Sequence, residues 1–256
     1  MSAAPAAVTV VNEHGTSPIV LLCEHASNHI PAEFGQLGLA SHELQRHIAW
    51  DIGVASLARQ LSAALDAPLF LAGYSRLLID CNRPLDVPSS IPELSELTPI
   101  PGNTKLTAAQ CLERATKFYW PFQNAVSGHL DRRQNAGRQT LVIGVHSFTP
   151  VFKGFTRPWH AGILFEPPDI VGDDTLPLGE RLLSALMTPD LNIAANQPYQ
   201  ISDASDYTVP VHGRARGLDA CLIEVRQDLL AGQPGIVSWT RRLIPALAAI
   251  SQPPRR

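Results

Sequence analysis

Apolar runs that end on a titratable side chain constrain this chain more than any other feature. Ile19–Cys23 leads into Glu24 and His25, Leu141–Val145 into His146 and Ser147, and Cys221–Ile223 into Glu224. Short uninterrupted runs bounded by turn residues read as buried strands. Asp51, in Trp50-Asp51-Ile52-Gly53, opens a segment where Val54, Leu57, Ala58, Leu61 and Leu65 recur at helical spacing. In an open α/β sheet, ligands bind beyond the carboxyl ends of the strands. Two imidazoles, a carboxylate ligand and a spare carboxylate at one rim describe a metal-dependent hydrolytic centre.

The remaining elements follow the same logic. Residues 26–40 hold Pro31 and Gly35 and read as a loop with one turn of helix. Residues 68–72 and 77–81 read as two further strands. Residues 84–107, rich in proline, serine and threonine, form the longest loop, and loops of that length are commonly functional lids. Thr107 opens a long helix to about residue 135, kinked near Pro121. Strands are expected at 140–147, 161–166 and 220–225. Helices are expected at 174–186, interrupted early by Pro177, and at 235–250, with a second long loop at 188–217. Strands alternating with helices predict a three-layer α/β/α architecture on a mainly parallel, mixed sheet. One domain spanning 1–256 is expected, with 1–16 and 251–256 at its flexible ends.

Composition narrows the partners. Hydrophobic residues at 45% and charged residues at 17% favour a globular chain with a sizeable core. A net charge of −3 and no basic stripe argue against nucleic acid; the tail Pro253-Pro254-Arg255-Arg256 is too short to count. No apolar run approaches the ~18 residues of a membrane span, and the amino terminus lacks the pattern of a signal peptide. The four cysteines form no CxxC pair. Cys23, Cys81 and Cys221 lie in apolar runs and read as small buried hydrophobes. A cytoplasmic enzyme acting on a small molecule is the expectation; the oligomeric state is not legible.

His25 and His146 each follow a buried strand. Imidazole is the commonest nitrogen ligand of zinc, and catalytic zinc takes three protein ligands plus water. The bland alternative, a turn histidine bonded to a backbone carbonyl, weakens when the arrangement occurs twice. A carboxylate should supply the third ligand. Glu24, Asp51 and Asp80 are the candidates, and Asp51 is preferred, although a helix cap is its plain role. Glu224, flanked by Leu222, Ile223 and Val225, reads as a general base rather than as a salt-bridge partner of Arg216 or Arg226. Arg76, Asn82 and Arg83 bracket the 77–81 run and suit an anionic substrate, since guanidinium groups grip carboxylates bidentately. His212, Arg214 and Arg216 in the 188–217 loop offer a further, weaker clamp.

These residues resemble the N-formylglutamate amidohydrolase family. The likeness runs from about residue 18 to the last helix. It is carried by Glu24-His25-Ala26-Ser27-Asn28 with Ile30-Pro31, by Asp51-Ile52-Gly53, and by Ser75-Arg76 through Asp80-Cys81-Asn82-Arg83-Pro84. His146-Ser147-Phe148-Thr149-Pro150, Arg157-Pro158-Trp159-His160 and Ile223-Glu224-Val225-Arg226-Gln227-Asp228 complete it. The family resembles the zinc carboxypeptidases, which implies a zinc-carboxypeptidase-like (phosphorylase/hydrolase-like) fold. The likeness further implies His25 and His146 as ligands, Asn82-Arg83 as the grip on a carboxylate and Glu224 as the base. Arg226 and His212 are added on the substrate side. The carboxypeptidase pattern places a glutamate where this chain has Asn28, so the third ligand comes from elsewhere, with Asp51 inferred. Ala26-Ser27 stands where relatives devoted to histidine breakdown carry Ser-Gly, which suggests a sister branch.

The resemblance implies a metal-dependent amidohydrolase for an N-formyl or N-acyl amino acid, N-formyl-L-glutamate first. Zinc is the expected ion, although manganese, iron and cobalt accept the same ligands. Asn28 motivates the rival expectation of a metal-free protein that binds a small carboxylate.

Overall fold

The computed structural model describes residues 5–166 and 176–252. Among these, the strands in chain order are Val8–Val11 (β1), Ile19–Cys23 (β2), Leu69–Ala72 (β3), Leu94–Ser95 (β4), Thr98–Pro99 (β5), Leu141–Phe148 (β6), Val151–Phe152 (β7), Phe155–Thr156 (β8), Ala161–Leu164 (β9), Ile193–Ala195 (β10) and Asp219–Arg226 (β11). The α-helices are Val54–Leu65 (α1), Ala108–Arg114 (α2), Trp120–Asn135 (α3), Leu178–Leu186 (α4) and Gly232–Ile250 (α5). Seven strands form one sheet in the order β1-β3-β2-β6-β11-β9-β10. β3, β2, β6 and β11 run parallel, β1 and β9 join antiparallel, and β10 runs parallel to β9. The expected mainly parallel, mixed sheet is therefore present.

Side-chain alternation builds the three layers. Ile19, Leu21, Ile143, Val145, Cys221 and Ile223 pack against α1, α4 and α5. Val20, Leu22 and Val142 face Phe118, Tyr119, Phe122, Val126 and Leu130 on the opposite side. Glu24, His146 and Glu224 continue the second set of positions. The register pairs Glu224 with His146 and Leu22 with Gly144, so the three acquire one face at the carboxyl end of three adjacent strands.

Several sequence expectations need correction. Residues 77–81 are not a strand. Ser75 Oγ accepts the Leu77 amide at 3.2 Å and Asp80 Oδ1 accepts the Asn82 amide at 2.8 Å. Side chains thus close turns that compete with extension. The segment is buried but outside the sheet. The amino-terminal stretch supplies edge strand β1, and the 188–217 loop supplies edge strand β10 and a π-turn at Thr208–Gly213. The long helix starts as expected, with a Thr107/Gln110 capping box. It widens into a π-turn at Ala115–Tyr119 before resuming, since Pro121 offers no N–H to the turn behind it. α4 begins at Leu178 behind Pro177; the expected start at 174 and the 253–256 tail lie outside the described residues. The 84–107 stretch carries the β4–β5 hairpin, pinned where Asn103 Nδ2 donates to Leu77 O (2.8 Å) and Pro92 O (2.7 Å). No helix among the described residues is long and apolar enough to cross a membrane.

Candidate metal centre and its cavity

His25 and His146 reach one point from different strands. β2 ends at Cys23, so His25 sits on the turn beyond it and escapes strict alternation. Its backbone carbonyl accepts the Asp51 amide at 3.0 Å, which ties the head of α1 to this turn. Gly53, with φ of 83°, begins α1, and a Cβ there would lie 2.7 Å from Leu230 Cβ. Asp51 is therefore not the helix cap. Its carboxylate turns toward the imidazoles, where Oδ2 also accepts the Ser147 amide at 3.2 Å.

Three donor atoms converge. His146 Nδ1 lies 3.2 Å from His25 Nδ1 and 3.0 Å from Asp51 Oδ2, and His25 Nδ1 lies 3.4 Å from Asp51 Oδ2. Metal–ligand bonds of 2.0–2.1 Å in a tetrahedron separate neighbouring ligands by about 3.3 Å. The trio thus fits one cation with a fourth position left for another ligand, and these residues could hold a metal ion.

Each imidazole is backed by an acid on its other nitrogen. Asp80 Oδ1 lies 2.7 Å from His25 Nε2. Glu24 Oε2 lies 3.3 Å from His146 Nε2, within ion-pair range but without hydrogen-bond geometry, as neither atom has a hydrogen-bond partner. Both arrangements put the ring proton on Nε2 and aim the Nδ1 lone pair at the shared point. Glu24 Oε1 accepts from Thr208 Oγ1. Arg76 donates from Nε (3.1 Å) and Nη2 (2.8 Å) to Asp80 Oδ2, and its Nη1 lies 3.6 Å from Asp51 Oδ1.

Electrostatics agree with the geometry. With the imidazoles protonated, burial disfavours the Asp51 anion, but the charge of His25 and hydrogen bonds from both rings outweigh it and hold the carboxyl well below its ordinary value. Burial also opposes the Asp80 anion, and Arg76 and His25 overcome it. Ligand histidines are neutral. Among the described residues, Glu24, Asp51 and Asp80 then have only Arg76 as an arginine or lysine within ion-pair distance, with the Arg83 charge farther from Asp80, a surplus of buried negative charge that a divalent cation would offset.

Glu224 lines the same cavity of about 490 Å³ as His25, Asp51, His146, Arg76 and Arg83. Its Oε2 is buried and has no hydrogen-bond partner among the described residues. Burial pushes the carboxyl up to about 7, with the Asp51 charge adding to the rise and the His146, His25 and Arg76 charges opposing it. The salt bridges considered for it are absent among the described residues: Arg216 pairs with Asp131, and Arg226 with Asp228 at 2.8 Å.

Other expected site residues are placed elsewhere or already engaged. Asn82 lines the cavity, but its Oδ1 accepts the amides of Tyr207 and Thr208 at 3.0 Å and its Nδ2 donates to Asp206 at 3.3 Å. Asn82 therefore shapes the wall. His212 is buried outside the lining, with Nε2 2.8 Å from Gln123 Oε1. Arg226 donates to Asp228 and to the carbonyls of Arg157 and Trp159, also outside the lining. Arg214 pairs with Glu166 and Asp203. Asn28 donates to Leu44 O at 2.8 Å and is not among the three residues whose donor atoms converge. Tyr199 lines the cavity unannounced, with Arg157 behind it and outside the lining. Arg157 appears in the sequence only as part of Arg157-Pro158-Trp159-His160, and nothing in the 188–217 segment singles out Tyr199.

Comparison with known proteins gives a concordant picture. The family model described as N-formylglutamate amidohydrolase matches residues 17–231. The crystal structure of a gene product from Agrobacterium tumefaciens superposes with a TM-score of 0.88 at 36% identity, covering 97% of each chain. An N-formylglutamate amidohydrolase from Ralstonia eutropha JMP134 superposes with a TM-score of 0.69 at 20% identity, again covering 97% of each chain, a likeness of fold. No curated protein matches the chain.

Proposed function

The chain belongs to the N-formylglutamate amidohydrolase family of amide hydrolases, and from that premise we propose that it cleaves the acyl C–N bond of a small anionic N-acyl amino acid. N-formyl-L-glutamate, giving formate and L-glutamate, is the first choice. One observation carries the reading: three donor atoms 3.0–3.4 Å apart share a cavity with a carboxyl group that has an unpartnered oxygen.

His25, Asp51 and His146 would hold a divalent ion, zinc by preference. When bound, such an ion would supply Lewis-acid polarisation of the acyl oxygen and activation of water near neutral pH. Glu224 would take a proton from the attacking water and deliver it to the leaving nitrogen, a role suited to a carboxyl whose buried site raises its pKa. Asp80 and Glu24 keep the imidazoles oriented. Arg83 faces the cavity with no carboxylate partner among the described residues, its Nη1 donating only to Asn82 O at 3.0 Å, and it holds a substrate carboxylate. Arg76 serves the acids behind the centre. Buried free cysteines suit a reducing compartment and support a cytoplasmic location.

The test is turnover of N-formyl-L-glutamate before and after chelation, with Glu224→Gln beside the parent. Chelation should abolish activity and metal should restore it. Glu224→Gln should retain stoichiometric metal and lose about 10²–10⁴-fold in turnover. Full activity in the chelated protein, or in that variant, overturns the reading.

A further inference from the structure

Arg157 is a buried cation without an acid. It is 4% exposed and enters no ion pair among the described residues. Its Nη1 donates to Tyr199 Oη at 3.0 Å and to Thr149 O at 3.4 Å. Its Nε and Nη2 reach no acceptor among the described residues. The guanidinium carbon sits 4.7 Å from the ring centre of Phe152, 4.8 Å from Tyr199 and 5.6 Å from Phe148. Three aromatic faces attract the charge, but they do not neutralise it, and a buried charge is costly unless paired.

Tyr199 carries this charge to the cavity. It lines the cavity that holds Glu224 and Arg83, and burial, with the Glu224 charge, raises its hydroxyl's pKa against the opposing Arg157 and Arg76 charges. Because the oxygen accepts from Arg157, the phenolic proton points elsewhere, and it meets no acceptor among the described residues. Arg76 is tied to Asp80, while Asn82 is tied to residues 206–208. Among the cavity's arginine, asparagine and tyrosine side chains, the donors still open to an anion are therefore Arg83 and Tyr199, the latter backed by the Arg157 charge.

We propose that Tyr199, backed by Arg157, is a second carboxylate anchor distinct from Arg83, so that the cavity selects dicarboxylic over monocarboxylic ligands. The inference rests on the proposed function for its substrate but not for its binding test. The zinc-loaded protein is titrated calorimetrically with glutarate and with butyrate. N-formyl-L-glutamate and N-formyl-L-glutamine are compared as substrates in parallel. The parent should favour glutarate by about tenfold or more, the strength of a charge-assisted hydrogen bond. Tyr199→Phe, which keeps the ring that Arg157 stacks on, and Arg157→Gln should each remove most of that preference. Their effect should fall on KM for N-formyl-L-glutamate, leaving butyrate and N-formyl-L-glutamine little changed. Equal weakening of both ligands, or an intact preference in both variants, overturns the anchor. If neither formyl substrate is hydrolysed while the binding preference follows Tyr199 and Arg157, the proposed reaction fails and the anchor stands.

Discussion

The Glu24 carboxylate, just past the end of β2, lies 3.3 Å from His146 Nε2, the ring nitrogen opposite the one that meets His25 and Asp51. Glu24 is wholly enclosed and also holds Thr208. Under the proposed function its place is behind a metal ligand, where it would steer the His146 ring. Glu24→Gln keeps the shape and removes the charge. Metal affinity should fall about 10–100-fold, the usual effect of losing an outer-shell partner. Competition with a chromogenic chelator measures this, and unchanged affinity would remove Glu24 from the support of the centre.

Gly162 sits opposite Glu224 in the β11–β9 register. A Cβ there would lie 1.6 Å from Gln197 O, a backbone atom that cannot swing aside. Gly162→Ala should cost about 1–3 kcal/mol or more by overpacking. Urea unfolding of the two proteins gives the difference, and an unshifted midpoint would contradict the close approach.

Two buried histidines make stability depend on pH. In His129, edge-on to Phe70 at 5.2 Å, burial and then the Arg133 and Arg132 charges push the imidazole down to about 4. Burial likewise pushes His212 down to about 4. Both folded values lie below the unfolded value near 6.5, so the unfolded chain binds more protons between them. Stability should be full above about pH 6.5 and should fall as pH drops toward 4. His129→Gln should flatten that slope in urea midpoints taken at pH 5 and pH 7. An identical slope in the variant would acquit His129.

Glu96, in the turn between β4 and β5, bonds Arg46 Nη2 at 2.6 Å and accepts the Lys153 amide, between β7 and β8, at 3.3 Å. One carboxylate thus joins two hairpins that both line the cavity through Leu94 and Phe152. Glu96→Ala should speed limited proteolysis within 94–99 several-fold, a local opening that leaves global stability nearly unchanged. Equal cleavage rates would show that other contacts hold the hairpin.

Much of the centre was legible because strand ends announce themselves. Leu141–Val145 and Ile19–Cys23 are unbroken apolar runs, so the polar residues after them had to lie at the sheet's rim. The 77–81 run misled for the same reason: its apolar content matches a strand, and the turns made by Ser75 and Asp80 depend on side-chain bonds that hydropathy does not record. β1 is only partly buried and paired on one side, so its pattern is faint. Asn82 reads as a substrate contact until its partners 124–126 residues away in the chain are known. Arg157 and Tyr199 share the difficulty, being 42 residues apart.

The pairing of Glu224 with His146 makes the chemistry hostage to chain length. Two-residue periodicity means that deleting one residue within Leu141–Val145 would swing His146 into the layer of α1 and α5 and present Ser147 to Glu224 and Asp51. Evolution can therefore lengthen the surface turns of this molecule freely, but β6 can change length only in steps of two, or not at all.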